Sequence, residues 1–288
     1  MRTWIALSLV LATLLALAAL VASERLPPIA PDHADALALM RASAISLGDA
    51  DAFAALWTAR HAIADEDIEH VAADSVAIWW AHARGAERPP IGLLREYPSL
   101  LPLQPSRLLP CPAADGRCLQ AVRADAEGVR THLQAWEPFR QQNRRLERYD
   151  HVRDAFPPLL WAPTPPLMDL PRPELSRAAL LHVDGDSTQA LDEICLFAAT
   201  WRRLGTRTDS LIIRLVGTRY LAIAAQLYAE ILAESAPSLD VPQHCSGALA
   251  PFEDSEFDLC PIMRREFAAG VAILDASQRA EGESVART

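Results

Sequence analysis

An all-α fold behind one apolar N-terminal segment is what this 288-residue sequence predicts, and three observations predict it. Strand signals are poor: β-branched runs are few, and no Asn-Gly or Asp-Gly joins two alternating segments. Apolar residues instead recur at helical spacing, as in Leu119, Val122, Ala126, Val129, Leu133 and Trp136. Glycine is scarce (11) and proline common (22), which reads as helices joined by Pro-rich connections.

The N-terminal segment, Trp4 to Ala22, carries no charge, with Ser8 and Thr13 its polar members. As a helix it would be about 28 Å long, close to the ~30 Å hydrocarbon core of a bilayer. That length favours an uncleaved anchor over a cleaved signal, whose apolar core is usually about 7–15 residues. Val21-Ala22-Ser23 supplies a small-residue cleavage site for the second reading. No Cys ends the apolar run, which argues against a lipid anchor. Arg2 precedes the span, so the positive-inside rule keeps this end in the cytoplasm and exports Ser23 to Thr288. The Lys-free, Ala-, Leu- and Arg-rich composition fits a high-GC bacterium, which places the chain in the inner membrane and its bulk in a periplasm.

The exported part has the length of one large domain or two small ones. The chain's net charge of −10, with no basic stripe, disfavours nucleic acid as a partner. Five cysteines in an oxidising compartment invite pairing and leave one over. Four cysteines allow three connectivities, and local pairing is the expectation: Cys111 with Cys118 across CPAADGRC, and Cys245 with Cys260 across a second irregular segment. Cys195, within LDEICLFAATW, reads as a small buried hydrophobe. A zinc site is the rival use of the five Cys and eight His, but no C-x-x-C occurs and only His244-Cys245 are close. No metal and no cofactor is therefore assigned.

After the span, residues 23–31 hold three prolines and form a tether. The helical periplasmic domain covers 32–276, in one body or in two lobes (32–155 and 174–276) joined by a strap. Asp32 caps a helix to Leu47, and further helices are expected over 49–61 and 65–84. Glu87 to Pro112 is an extended Pro-rich crossing. The seam from Leu119 to Trp136 then marks a helix that Pro138 can kink, with Arg140, Arg144, Arg145 and Arg148 on a solvated face and Glu147 as their local partner. Phe156 to Pro173 is a second Pro-rich strap, held down by Leu159, Leu160, Trp161 and Met168. Helices follow over 174–183, 187–204 and 208–234, the last apolar nearly all round and hence central and buried. It is not a second span, because Arg214, Arg219, Gln226 and Glu230 interrupt it. A last helix covers 262–276, and 277–288 is a polar, disordered tail.

Arg214 is the residue with the most to explain. It shares a face with Leu221, Ala225, Tyr228 and Leu232, so it needs a partner: an anionic ligand in a cleft, or Asp192 or Glu193 of the preceding helix. The internal ion pair is the stronger expectation. Asp65-Glu66-Asp67 with Glu69 and His70 could hold a cation, but acids crowd the first turn of helices for the dipole alone. Asp184-Gly185-Asp186-Ser187 lacks the spaced ligands of a calcium loop and reads as a turn and helix cap. Trp79, Trp80 and Trp136 read as core. The sequence holds no nucleophile elbow, HExxH or Gly-rich phosphate loop, so no catalytic residue is assigned.

At LGDADAFAALW, CPAADGRC, RYDHVRDAFPPL, LIIRLV and LCPIMRREF the chain resembles a group of uncharacterised proteobacterial proteins with one N-terminal span and a helical exported domain. The resemblance covers most of the exported part and implies that architecture. It implies no activity.

The function expected from all this is a non-enzymatic interaction or structural module of the bacterial envelope, with the inner membrane (through residues 4–22) and an envelope protein as partners. A periplasmic hydrolase acting on cell wall with a helix-borne carboxylate is one alternative, and a helical groove for lipid or peptide is the other.

Overall fold

The structure is a computed structural model that describes residues 50–85, 94–102, 109–111, 117–156, 163–165 and 167–271. All of them belong to one compact unit, 44–288. The apolar segment 4–22, the tether, the helix expected over 32–47 and the tail 277–288 lie outside the described residues, as does much of both Pro-rich straps.

The fold is all-α. The described helices are α1 (Phe53–Thr58), α2 (Ile68–Gly85), α3 (Cys118–Ala124), α4 (Ala126–Arg144), α5 (Pro171–Val183), α6 (Ser187–Thr206), α7 (Leu211–Glu234), α8 (Cys245–Ala248) and α9 (260–271), with 3-10 turns at Arg145–Arg148 and Asp254–Phe257. Extended pairing among the described residues is limited to isolated bridges, which lay 51 beside 151, 152 beside 208, and 61 beside 99.

Helix boundaries follow their caps. Asp125 leaves helical geometry and its side chain accepts from the Gly128 N–H. The seam expected to run unbroken from Leu119 to Trp136 is therefore cut in two, with Leu119 and Val122 on α3 and Val129 and Trp136 on α4. α4 runs through Pro138. Asp186 caps α6 by accepting from the Gln189 N–H, and Gly185 takes the positive φ (97°) that the turn from α5 requires. α5 starts inside the expected second strap: Pro171 and Pro173 fall in its first turn, where a missing N–H costs nothing. In that same strap Met168 is exposed, while Leu167 and Leu170 are the residues that bury.

The larger core draws on α1, α3 and α4 through α8, with Trp136, Phe139, Leu175, Ile194 and Trp201 fully enclosed. A smaller one gathers Phe53, Ile68, Val71 and Trp79 around Phe156, whose ring meets Phe53, Trp57 and Trp79 edge-on. Trp80 is exposed rather than part of this core.

α6 and α7 form a tight hairpin. At its crossing the two backbones touch: a Cβ added to Gly217 would lie 2.8 Å from the Gly205 Cα. Two glycines are what allow so close an approach.

Two disulfides staple the unit. Cys111 pairs with Cys118, with Cα atoms 5.2 Å apart. The expected Cys245–Cys260 bridge does not form. Cys245 pairs instead with Cys195, fully buried on α6, across 50 residues (Cα–Cα 4.9 Å). Cys260 is the exposed free thiol. The packing of α8 on α6 decides this, because it carries Cys245 to the core while Cys260 opens α9 at the surface. Arg202 of α6 does much of the work expected of the local bridge: it donates to the Gly247, Ala250 and Pro251 carbonyls and grips the Glu256 carboxylate with two bonds of 2.6–2.7 Å.

Candidate functional site

Of the arginine face expected to be solvated, Arg140 is turned inward, Arg144 and Arg145 are half-buried, and Arg148 stays exposed. Arg140 on α4 has a side chain only 8% exposed, set against α5 and α6. Its Nε and Nη2 donate to Glu137 at 2.8 and 3.0 Å. Its Nη1 lies 3.6 Å from both Glu174 on α5 and Glu193 on α6, and makes no hydrogen bond. Glu193 is further held by Arg144 at 2.7 Å and by Arg177 at 3.3 Å. Arg145 and Arg148 reach away to Asp65, which accounts for one acid of the Asp65-Glu66-Asp67 run. Four arginines at 140, 144, 145 and 148 thus divide between two sets of partners, none of which is near in sequence except Glu137.

Glu174 is the chemically unusual member. It is buried, its Oε1 has no partner, and its pKa is pushed up to about 8. Burial is the main cause; the attraction of Arg140 opposes it and the nearby Glu193 carboxylate adds to it. At neutral pH Glu174 therefore carries a proton, the property a general acid needs. Beside it Asn143 is buried with both its Oδ1 and Nδ2 unpartnered.

Two cavities flank the cluster. One, of about 30 Å³, is lined by Asn143, Glu174, Glu193, Thr200 and Trp201. Leu146, Leu170, Leu196 and Phe197 also line it, and it has room for a water within reach of the unpartnered atoms of Asn143 and Glu174. The other is a groove of about 310 Å³ between α4 and α5, lined by Arg130, Leu133, Gln134, Glu137, Arg140 and Arg177. Only this second cavity reaches the lower end of ligand-site volumes, about 300 Å³. The protonated acid lines the first and the space lies in the second, so acid and room are separated by Arg140.

Arg214 pairs with neither Asp192 nor Glu193. Its Nη1 donates to the Gly205 carbonyl at 3.2 Å and its Nη2 to the Glu256 carbonyl. The hairpin crossing explains the change: Gly205 ends α6 beside the first turn of α7, so a backbone acceptor is closer than a carboxylate a turn or more back. Arg214 locks the Asp254–Phe257 turn onto the hairpin, a structural task. Asp192 faces solvent and meets His244 at 3.6 Å, while Glu193 belongs to the arginine cluster.

A third feature is α7 itself. By length and composition it could cross a membrane, and only a third of its most apolar stretch is buried. It is therefore not the fully enclosed helix expected. Ile213, Gly217, Tyr220, Ala224, Leu227 and Ile231 face the core. Leu211, Leu215, Thr218, Ala222, Ala225, Ala229 and Leu232 are all exposed. These seven step 4-3-4-3-4-3 and contain no charge, the spacing of a seam that receives another helix. Leu215 is 61% exposed. The sequence carried this signal, but an all-round apolar helix does not reveal which side its own domain will cover.

Among the described residues no group of three or more His, Cys, Asp or Glu is arranged to hold a metal ion. Comparison with protein-family models, with curated proteins and with solved structures finds no match for this chain.

Proposed function

We propose that this chain is a membrane-tethered, exported helical module that acts by receiving another helix on α7 rather than by catalysis. The uncovered seam from Leu211 to Leu232 carries the reading. An apolar stripe about 32 Å long on a chain of net charge −10 is a site of association, since scattered surface apolar residues do not fall on one heptad line. The compartment rests on two supports: disulfides such as Cys111–Cys118 and Cys195–Cys245 persist in oxidising surroundings, and the charge-free run 4–22 provides an anchor that leaves the domain in a bacterial periplasm.

Glu174 favours a hydrolase as the second reading, because it holds a proton at neutral pH. The 30 Å³ beside it admits a water and not a glycan or peptide, which makes this the weaker reading.

Intact mass of the chain from membranes tests compartment and staples together. The uncleaved chain with two disulfides and one alkylatable thiol, at Cys260, is expected. Photocrosslinkers at Leu215 and Ala222 in living cells then test the seam. A discrete product from both, and none from Glu127 on α4, is the expected result. Five free thiols, or no specific product from the seam, would overturn the proposal.

A further inference from the structure

We propose that the groove between α4 and α5 binds a small organic acid, a single carboxylate on a short aliphatic stem. This site is separate from the seam on α7 and stands or falls without it. The two helices run antiparallel: Arg130, near the start of α4, reaches Asp184 just past the end of α5, and Arg140, near the end of α4, lies against Glu174 at the start of α5. Long charged side chains stand between them and leave a space of about 310 Å³. Arg130 and Arg140 both line it, ten positions apart in sequence, so the groove runs about 15 Å along α4.

The groove has a cationic head and an apolar floor. Three guanidiniums line it, and two of them are already taken. Arg130 gives Nη2 to both oxygens of Asp184, at 2.9 and 3.0 Å, and Nη1 to Glu127. Arg140 gives Nε and Nη2 to Glu137. Arg177 gives only Nε, to Glu193 at 3.3 Å, and its two terminal nitrogens have no partner among the described residues. The anion belongs there, because a guanidinium offers parallel N–H groups at the spacing of a carboxylate's oxygens. Leu180 lies one turn along α5 from Arg177 on the same face, and Leu133 of α4 lines the same space. Water filling the groove satisfies Arg177 but leaves the leucines wet. A carboxylate with an alkyl stem satisfies both.

The wall selects the kind of anion. Glu137 borders the head of the groove, and its hydrogen bonds from Arg140 hold its carboxyl below the usual range, so it stays charged at neutral pH. A dianion such as phosphate is repelled by it more strongly than a monoanion. The volume lies at the lower end of ligand sites, which suits one short chain and not a two-chained lipid.

The test is calorimetric titration of the full chain in detergent, with octanoate as the probe and a micelle-only titration subtracted. Octanamide has the same stem without the charge, and inorganic phosphate has charge without the stem. Each is expected to bind roughly tenfold or more weakly than octanoate. Arg177→Gln removes the unengaged guanidinium and is expected to bring octanoate down to the level of octanamide. Gln134→Glu, at an exposed position on the groove, adds a second carboxylate and leaves the buried contacts in place. It is expected to weaken octanoate about threefold or more and to leave octanamide unchanged. Arg148→Gln, an exposed arginine outside the groove, is expected to bind octanoate as the parent does. The micelle is common to all chains, so differences between them report the groove. No saturable heat with octanoate, equal affinity for octanoate and octanamide, tighter binding of phosphate, or parent affinity in the Gln134→Glu chain would each overturn the proposal. Gln134→Glu decides the matter even where Arg177→Gln loses helicity by circular dichroism.

Discussion

Replacing Glu174 by Gln should change how stability depends on pH. Glu174 has a pKa of about 8 in the folded chain against an ordinary value of 4.5. A group whose folded pKa is raised binds its proton more tightly when folded. The stability it contributes is therefore complete below about pH 4.5 and declines as pH rises toward 8. At about 1.4 kcal/mol per pH unit, that gap corresponds to a loss of roughly 4–5 kcal/mol between pH 4.5 and 8, a large share of the 5–15 kcal/mol of a typical domain. The charges that face it explain why no compensation is at hand: Arg140 and Arg144 of α4 and Arg177 of α5 are already engaged by Glu137 and Glu193, and Glu147 is itself shifted upward by burial. Gln keeps the shape and stays neutral at every pH. Urea unfolding followed by circular dichroism at half-unit steps from pH 5 to 8.5 should show the parent losing stability relative to Glu174→Gln by about 4 kcal/mol across the range. The comparison cancels the other buried acids with raised pKa values, Asp154 and Asp209, which are common to both chains. A difference between the two chains that does not vary with pH would refute the buried, protonated state of Glu174.

Gly217→Ala places a methyl 2.8 Å from the Gly205 Cα and 3.2 Å from the Trp201 carbonyl, so it should cost about 1–3 kcal/mol by overpacking, read as a lowered thermal midpoint. Removing Cys195 and Cys245 together should cost about 4 kcal/mol, and removing Cys111 and Cys118 about 2.4 kcal/mol, in the chain-entropy treatment of loops of 50 and 7 residues; chemical denaturation of the two double variants checks the order. Arg214→Met removes the bonds to the Gly205 and Glu256 carbonyls and should lower stability by about 1.5–3 kcal/mol, with faster amide exchange over 254–257 as its local signature.

Much of the fold was legible in sequence because helical spacing and caps are local. The turn at Gly185 and the cap at Asp186 were read from four adjacent residues and stand as read. The departures come where a distant partner outbids a local one. Asp125 breaks the Leu119–Trp136 seam because its carboxylate caps α4, a choice a periodic apolar pattern does not disclose. Cys245 passes over Cys260, 15 positions away, for Cys195, 50 positions away, because α8 packs on α6. Arg140 looked solvated because its i+3 and i+4 neighbours on α4 are polar, and what buries it is α5 and α6, more than thirty residues on. Glu174, the residue with the most perturbed chemistry, had no sequence signature at all: its pKa is set by burial beneath Arg140 and beside Glu193, which only tertiary packing supplies.

The arginine cluster and the α7 seam are two answers to one problem, how a domain handles apolar helices that outnumber its covering surfaces. α6 is covered on several sides by α5, α7 and α8, so its polar residues are drawn inside and must be neutralised there: Glu193 by three arginines, and Glu174 nearby by keeping its proton. The space beside Glu174 in this junction has room for a water and no more. α7 has α6 as its main partner and keeps an apolar line, bordered by the exposed Arg219, in the open. A rigid, closed interior beside an open, neutral helix face is the division of labour of a binding scaffold: the cluster holds α4, α5 and α6 in register, the Gly205–Gly217 crossing transmits that rigidity to α7, and the seam is presented straight. Loss of rigidity at the cluster should therefore weaken association at a seam whose own residues are untouched, and raising pH through about 8, where Glu174 ionises, should weaken photocrosslinking at Ala222 in the parent while leaving the Glu174→Gln chain unaffected.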